Sequence, residues 1–124
     1  MKIIKLQGEP VSTNSLYRFT CTRGFPRMYM TEKGRSLKEA YWYEAKSQYR
    51  KKILEGELEV EIKLFFKNER KHDIDNYHKI LFDALSGVVW KDDSQIIKLT
   101  TSRKQDKSNP RIEITIYQLF EKEL

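Results

Sequence analysis

Glu57-Leu58-Glu59-Val60-Glu61-Ile62-Lys63-Leu64-Phe65-Phe66 is the stretch from which the fold class is read. Leu58, Val60, Ile62, Leu64 and Phe66 alternate with Glu57, Glu59, Glu61 and Lys63. Successive side chains of an extended chain point to opposite faces, so this alternation predicts a strand with one apolar and one charged face. Residues 2–7 alternate more loosely and predict a first strand. Residues 94–102 and 111–119 predict two more. In the latter, Ile112, Ile114 and Ile116 alternate with Glu113, Thr115 and Tyr117. The polar connection Arg103–Pro110 is rich in turn formers, and a hairpin between these strands is expected.

Helical periodicity fills the gaps. Leu37, Tyr41, Ala45, Tyr49 and Ile53 recur every four residues, with Ala40 widening the stripe. A helix over Thr31–Leu54 follows, capped by Thr31 or by a Ser36/Glu39 capping box. Lys38, Lys46, Arg50, Lys51 and Lys52 give its remaining surface a basic character, which suits a solvated face. A second helix is expected over Asp75–Ser86, burying Tyr77, Ile80, Leu81, Ala84 and Leu85, with Gly87 at the C′ position. Residues 8–30 hold Gly8, Pro10, Asn14, Gly24 and Pro26 and read as a long loop. The sum is an α+β domain over residues 1–124, a small, mostly antiparallel sheet with two packed helices.

Composition bounds the function. The chain has 124 residues, of which 39% are hydrophobic, enough for one core. Twenty-four Lys and Arg against eighteen Asp and Glu leave a net charge of +6, which favours an anionic partner such as nucleic acid. Cys21 is the only cysteine, so an intrachain disulfide and a four-thiolate zinc site are excluded. No apolar run approaches the roughly eighteen residues of a membrane span, and Met1–Leu6 is too short for a signal peptide. A soluble, cytoplasmic protein with no membrane partner is expected.

The chemistry concentrates at Lys71-His72-Asp73-Ile74-Asp75-Asn76-Tyr77-His78-Lys79, a strand-to-helix junction. In an extended segment Asp73 and Asp75 would point the same way, and two converging carboxylates need a cation or a proton between them. Magnesium is a hard ion suited to such oxygen ligands, completed by water and phosphate. The same acids could instead cap the following helix and offset its dipole. Lys79, one turn beyond Asp75, could pair with it or hold a phosphate. Lys91-Asp92-Asp93 precedes the next strand, where two acids serve either a metal or a turn. Arg70, Lys71 and His72 suit a polyanion. His72 and His78 as metal ligands lack a standard zinc spacing.

The string Asp73-Ile74-Asp75-Asn76-x-x-Lys79-x-x-x-Asp83-Ala84-Leu85, followed by Trp90-x-Asp92-Asp93, resembles the RusA family of Holliday junction resolvases. Pro10-x-Ser12-x-Asn14-x-x-Tyr17-Arg18 resembles that family's opening motif. The resemblance implies a homodimeric crossover junction endodeoxyribonuclease that makes paired, symmetric nicks in four-way DNA junctions, in recombination and repair. It implies a magnesium cofactor, with manganese as a substitute. It assigns Asp73, Asp75 and Asp93 as metal-binding acids, Asp92 as an accessory acid and Lys79 as the catalytic lysine. His72 stands where the family often has arginine. Phage or prophage origin is common in the family. No small-molecule substrate is expected.

DNA contacts are expected from Arg70, Lys71, His72, Asn14 and Arg18, and from Arg103, Lys104 and Lys107 around the last loop, where Arg111 also lies. Arg23 and Arg27 punctuate the 8–30 segment beside Phe19, Phe25 and Tyr29. Cations hold backbone and aromatics stack on unpaired bases, while a solvated loop would account for the same residues. The rival readings are a non-catalytic branched-DNA-binding module and a structural protein whose acids are caps. A nucleotide-sugar transferase would need a larger domain.

Overall fold

The computed structural model describes residues 1–119; residues 120–124 of the expected 1–124 domain lie outside the described residues. The chain runs β1 (Lys2–Gln7), α1 (Thr13–Leu16), β2 (Tyr17–Thr22), β3 (Phe25–Met30), α2 (Glu32–Gln48), β4 (Leu58–Phe66), α3 (His78–Leu85), β5 (Ile96–Gln105) and β6 (Arg111–Gln118). Short 3-10 turns, Ile74–Tyr77 and Asp93–Gln95, precede α3 and β5. The fold is α+β, as its alternating and helical patterns require.

Four strands form one sheet in the order β1-β6-β4-β5. Strand β4 sits inside it because every second residue, from Leu58 to Phe66, is buried. β6 lies antiparallel to both β1 and β4, and β5 lies parallel to β4. The expected β5–β6 hairpin is therefore overturned. The largely exposed, Lys- and Arg-bearing β5 suits a sheet edge, where charged side chains discourage further pairing. The apolar β6 takes the inner place, and the connection before it passes the end of β4, where Asp106 N donates to Phe66 O at 2.8 Å. A parallel neighbour needs a long crossover, and the Ile74–Tyr77 turn with α3 supplies it.

The 8–30 segment is not a loop. It contains α1 and the β2–β3 hairpin, with Thr22 opposite Phe25. Arg23 and Gly24 make the turn with φ of 54° and 79°. Both values are positive, as a two-residue turn matched to strand twist demands. Arginine in the first turn position hid this from a reading that looks for Asn or Asp. Thr31 closes the segment: its N and Oγ1 donate to Leu16 O at 2.8 and 3.0 Å.

Thr31, rather than the Ser36/Glu39 box, caps α2, accepting from Gly34 N at 3.1 Å. A side chain at Gly34 would meet the Leu16 carbonyl oxygen and Met30 Cγ, so glycine lets α2 sit against the segment it caps. The helix ends at Gln48 instead of Leu54, since Tyr49 is extended (φ −119°, ψ 97°). Leu54 N instead donates to Val89 O at 2.8 Å, a tertiary bond that competes with further helix. Tyr41, Ala45 and Tyr49 from the expected stripe are buried, but Ile53 is exposed.

The second helix begins later than its periodicity suggested, because Ile74–Tyr77 winds as a 3-10 turn with Asn76 off helical geometry (φ −98°, ψ 22°). Ile80, Leu81, Ala84 and Leu85 join Ile4, Leu6, Val60, Ile62, Ile114 and Ile116 in one core. Gly87 has φ 88° just past the helix end, where a left-handed residue stops it. Trp90 is fully buried, with Nε1 donating to Ser86 Oγ at 3.1 Å. It anchors the connection that carries Asp92 and Asp93.

Candidate active site

The turn before α3 and the turn before β5 open on one cavity of about 360 Å³. Asp75, Asn76, His78 and Lys79 line it from the first, Asp93 from the second, and Thr13 from α1. Phe82 and Asp83 complete the wall. Three separated stretches of sequence thus converge. Thr13 Oγ1 fixes one junction by donating to Asn76 O at 2.9 Å.

Asp73 and Asp75 are not aligned as extended neighbours. Asp73 is extended (φ −74°, ψ 110°), but Asp75 lies within the 3-10 turn. A 3-10 helix turns about 120° per residue, so the parity of a strand is lost between them. Asp73 does not line the cavity; with burial as the larger cause, its charge helps raise the pKa of Tyr77. Asp73 holds the N-cap position of the turn, yet its carboxylate accepts no capping hydrogen bond. The simple capping alternative therefore does not account for it.

Asp92 and Asp93 separate in the opposite sense. Asp92 forms a capping box: its carboxylate accepts from Ser94 N at 3.2 Å and from the Ser94 hydroxyl. Those bonds hold its pKa below the ordinary carboxylate value, with the Ser94 hydroxyl contributing most. Gln95 returns the favour, Oε1 accepting from Lys91 N and Asp92 N at 2.8 and 2.9 Å. Asp92 faces Glu55, Gly56 and Lys91, away from the site cavity. Asp93, the first residue of the turn, lines the same cavity as Lys79 and Asp75.

Lys79 is held. Its Nζ lies 3.4 Å from Asp83 Oδ2 and 5.1 Å from the ring centre of Tyr17. Tyr17 donates its hydroxyl to the same Asp83 oxygen at 2.5 Å. Burial, then the hydrogen bond to Asp83, raises the Tyr17 pKa far above its usual range, so it remains a donor. His78 is also anchored: Nε2 pairs with Thr101 Oγ1 of β5 at 2.7 Å, and the ring stacks on Phe82.

Asp75 and Asp93 offer hard oxygen donors on one cavity, a donor set that fits a divalent cation keeping several waters. Among the described residues no three His, Cys, Asp or Glu side chains form a closed metal cage. The two-carboxylate wall is open, and the expected contributions of Asp73 and Asp92 are not assembled on it. Thr13, Asn76, His78 and Asp83 line the cavity without having been assigned to it from sequence. Of these, Asn76 and Asp83 are specified positions of the quoted motif, while His78 and Thr13 fall at unspecified positions within the two motifs.

The expected DNA-contacting residues divide. Arg70, Arg103 and Lys104 line a second cavity of about 260 Å³. Arg103 Nη1 also donates to His72 O at 2.9 Å. Lys71, Lys107, Asn14 and Arg18 are exposed. His72 packs inward, its ring stacked on Phe66 at 3.8 Å, with Nε2 buried and unpartnered. Arg111 is occupied by Asp106 and Glu113 at 2.7 and 2.6 Å and lies over Phe65. No helix among the described residues is long and apolar enough to cross a membrane.

The Endodeoxyribonuclease RusA family model matches residues 7–117. The Crossover junction endodeoxyribonuclease RusA of Aquifex aeolicus is 35% identical over 79 residues, covering 62% of this chain and 61% of that protein. Uncharacterized protein YqaN of Bacillus subtilis is 44% identical over 46 residues, covering 37% of this chain and 32% of its own length. The chain thus spans less than two thirds of either relative. The family match takes in both turns of the cavity, α3 and three of the four strands of the sheet, and on that match the chain belongs to the RusA endodeoxyribonuclease family.

Proposed function

We propose that the protein is a divalent-metal-dependent endonuclease that resolves four-way DNA junctions by paired, symmetric nicks. One observation carries this reading: Asp75 and Asp93, from turns eighteen residues apart, share a cavity with the anchored Lys79. Family membership supports the substrate class. The named activity of the Aquifex relative supports junction DNA in particular.

Asp75 and Asp93 would hold the cation, magnesium by preference and manganese as a substitute, with Asp73 adjacent. When bound, the cation supplies Lewis acidity toward a phosphoryl oxygen and makes a coordinated water more acidic. Lys79 holds a non-bridging phosphate oxygen and offsets the charge that develops there. His78, fixed by Thr101, forms part of the wall against which the phosphate is oriented. Arg70, Arg103 and Lys104 hold the DNA backbone beside the reacting strand. The protein acts as a homodimer, since two-fold symmetry presents two equal sites to a two-fold junction. Its place is in recombination and repair, including that of phage or prophage DNA.

A mobile synthetic junction, incubated with and without magnesium and mapped for nicks on both strand pairs, tests the proposal. Symmetric nicks that require the metal are expected. Tight junction binding without nicks at any divalent-metal concentration would favour a non-catalytic binding module, to which the Arg70–Arg103–Lys104 cavity is equally suited.

A further inference from the structure

The charge of Lys79 is useful only if its flexible side chain is held where the phosphate arrives. An exposed i,i+4 lysine–carboxylate pair does little of this alone, because water and rotamer freedom compete with it. Here the carboxylate has a second partner. Asp83 Oδ2 lies 3.4 Å from Lys79 Nζ and accepts the Tyr17 hydroxyl at 2.5 Å. Tyr17 is buried, with 6% of its surface exposed, so its hydroxyl is aimed by packing. Its ring also lies 5.1 Å from the Lys79 ammonium, which adds a cation–π contact to the ion pair.

We propose that Tyr17 and Asp83 are positioning residues for Lys79: the buried phenol fixes the Asp83 carboxylate, and the two together fix the ammonium at the cavity wall. This rests on the endonuclease reading. It also gives the N-terminal segment a role. The same short stretch binds the site twice, Thr13 at the Asn76 carbonyl and Tyr17 at Asp83. Gly34 and Thr31 seat it through Leu16, the residue before Tyr17. No proton leaves Tyr17 and no bond is made to it; it acts by geometry alone.

The test combines Asp83→Asn, Tyr17→Phe, the double variant and Asp83→Glu, each with single-turnover cleavage, junction Kd and thermal melting. Tyr17→Phe keeps the ring and removes only the donor. Asp83→Asn is expected to slow cleavage roughly ten-fold or more, and Tyr17→Phe a few-fold, with Kd changed less than about two-fold. The double variant should match Asp83→Asn, because Tyr17 acts through that carboxylate. Asp83→Glu should recover part of the rate. Asp83→Asn at the wild-type rate, or effects of the two substitutions that multiply, would overturn the inference. So would equal losses in a Lys79→Ala background.

Nitrogen-15 spectra of the lysine ammonium groups separate this inference from the reading on which it rests. A Lys79 resonance protected from exchange in the wild type, and lost in both single variants, supports the positioning network even if no branched DNA is cut. An unprotected Lys79 ammonium in the wild type contradicts the network even if cleavage is observed.

Discussion

Replacing Gln95 by Ala should both destabilise the protein and misplace Asp93. Gln95 makes four hydrogen bonds: Oε1 accepts from Lys91 N and Asp92 N, and Nε2 donates to Leu54 O and Gly56 O at 3.0 Å each. It therefore ties the turn bearing Asp93 to the chain before β4. A neutral hydrogen bond contributes about 1 kcal/mol net. Three of the four are accessible to water, which would replace them, so about 2 kcal/mol is the expected cost. With an unfolding entropy of roughly 2.1 cal/mol/K per residue over 124 residues, that is a fall in Tm of about 8 °C. Gln95→Glu keeps the two acceptor bonds but turns a carboxylate toward two carbonyl oxygens, and should also melt low. Differential scanning calorimetry measures the first effect. Junction cleavage well below either melting transition measures the second, a several-fold slowing. A Tm within about 2 °C of wild type, with unchanged cleavage, would refute the reasoning that Gln95 sets the position of Asp93.

Other substitutions separate structural from chemical roles. Asp92→Ala should lower Tm by a few degrees and leave measurable cleavage, whereas Asp93→Ala should leave Tm unchanged or raised and slow cleavage roughly a hundred-fold; the reverse pattern in melting and nicking assays would reassign the pair. Trp90→Ala should cost about 3–5 kcal/mol in a denaturant titration, because the ring is fully buried and its removal leaves a cavity. Asp106 has a pKa held below its ordinary 3.8, chiefly by its hydrogen bond from Arg111. A depressed acid contributes stability that is present above the unfolded value and lost as pH falls through the folded one. Asp106→Asn should therefore flatten the dependence of Tm on pH below about 4, read from melting curves across that range.

The period-two run at Leu58–Phe66 located the central strand, and the motif around Asp75 and Lys79 marked two residues that line one cavity, because both patterns are local. What failed was set by distant partners. The β5–β6 hairpin looked natural because a short polar connection joins the strands, yet pairing follows the burial needs of β4, which neighbouring residues do not encode. α2 stops at Gln48 because Leu54 is bonded to Val89, although the apolar spacing continues to Ile53. The hairpin from Tyr17 to Met30 was hidden by an arginine in a positive-φ turn and by strands whose side chains are mostly exposed. Asp73 and Asp75 were read as aligned, but a 3-10 turn begins between them. Asp92 and Asp93 are adjacent and chemically identical, and only the capping box formed with Gln95 distinguishes them. Tyr17 stood in a quoted motif, but its contact with Asp83 joins residues 66 apart and carries no spacing signal.

The central claim, that Asp75 and Asp93 act as one unit opposite Lys79, is tested most directly by single-turnover cleavage of a four-way junction in magnesium. The comparison is wild type, Asp75→Asn, Asp93→Asn and the double variant, each confirmed folded by its melting transition. Groups that act together lose most of their effect when either is removed, so each single variant should fall nearly as far as the double, with junction binding retained. Cleavage by either single variant at the wild-type rate would contradict the account.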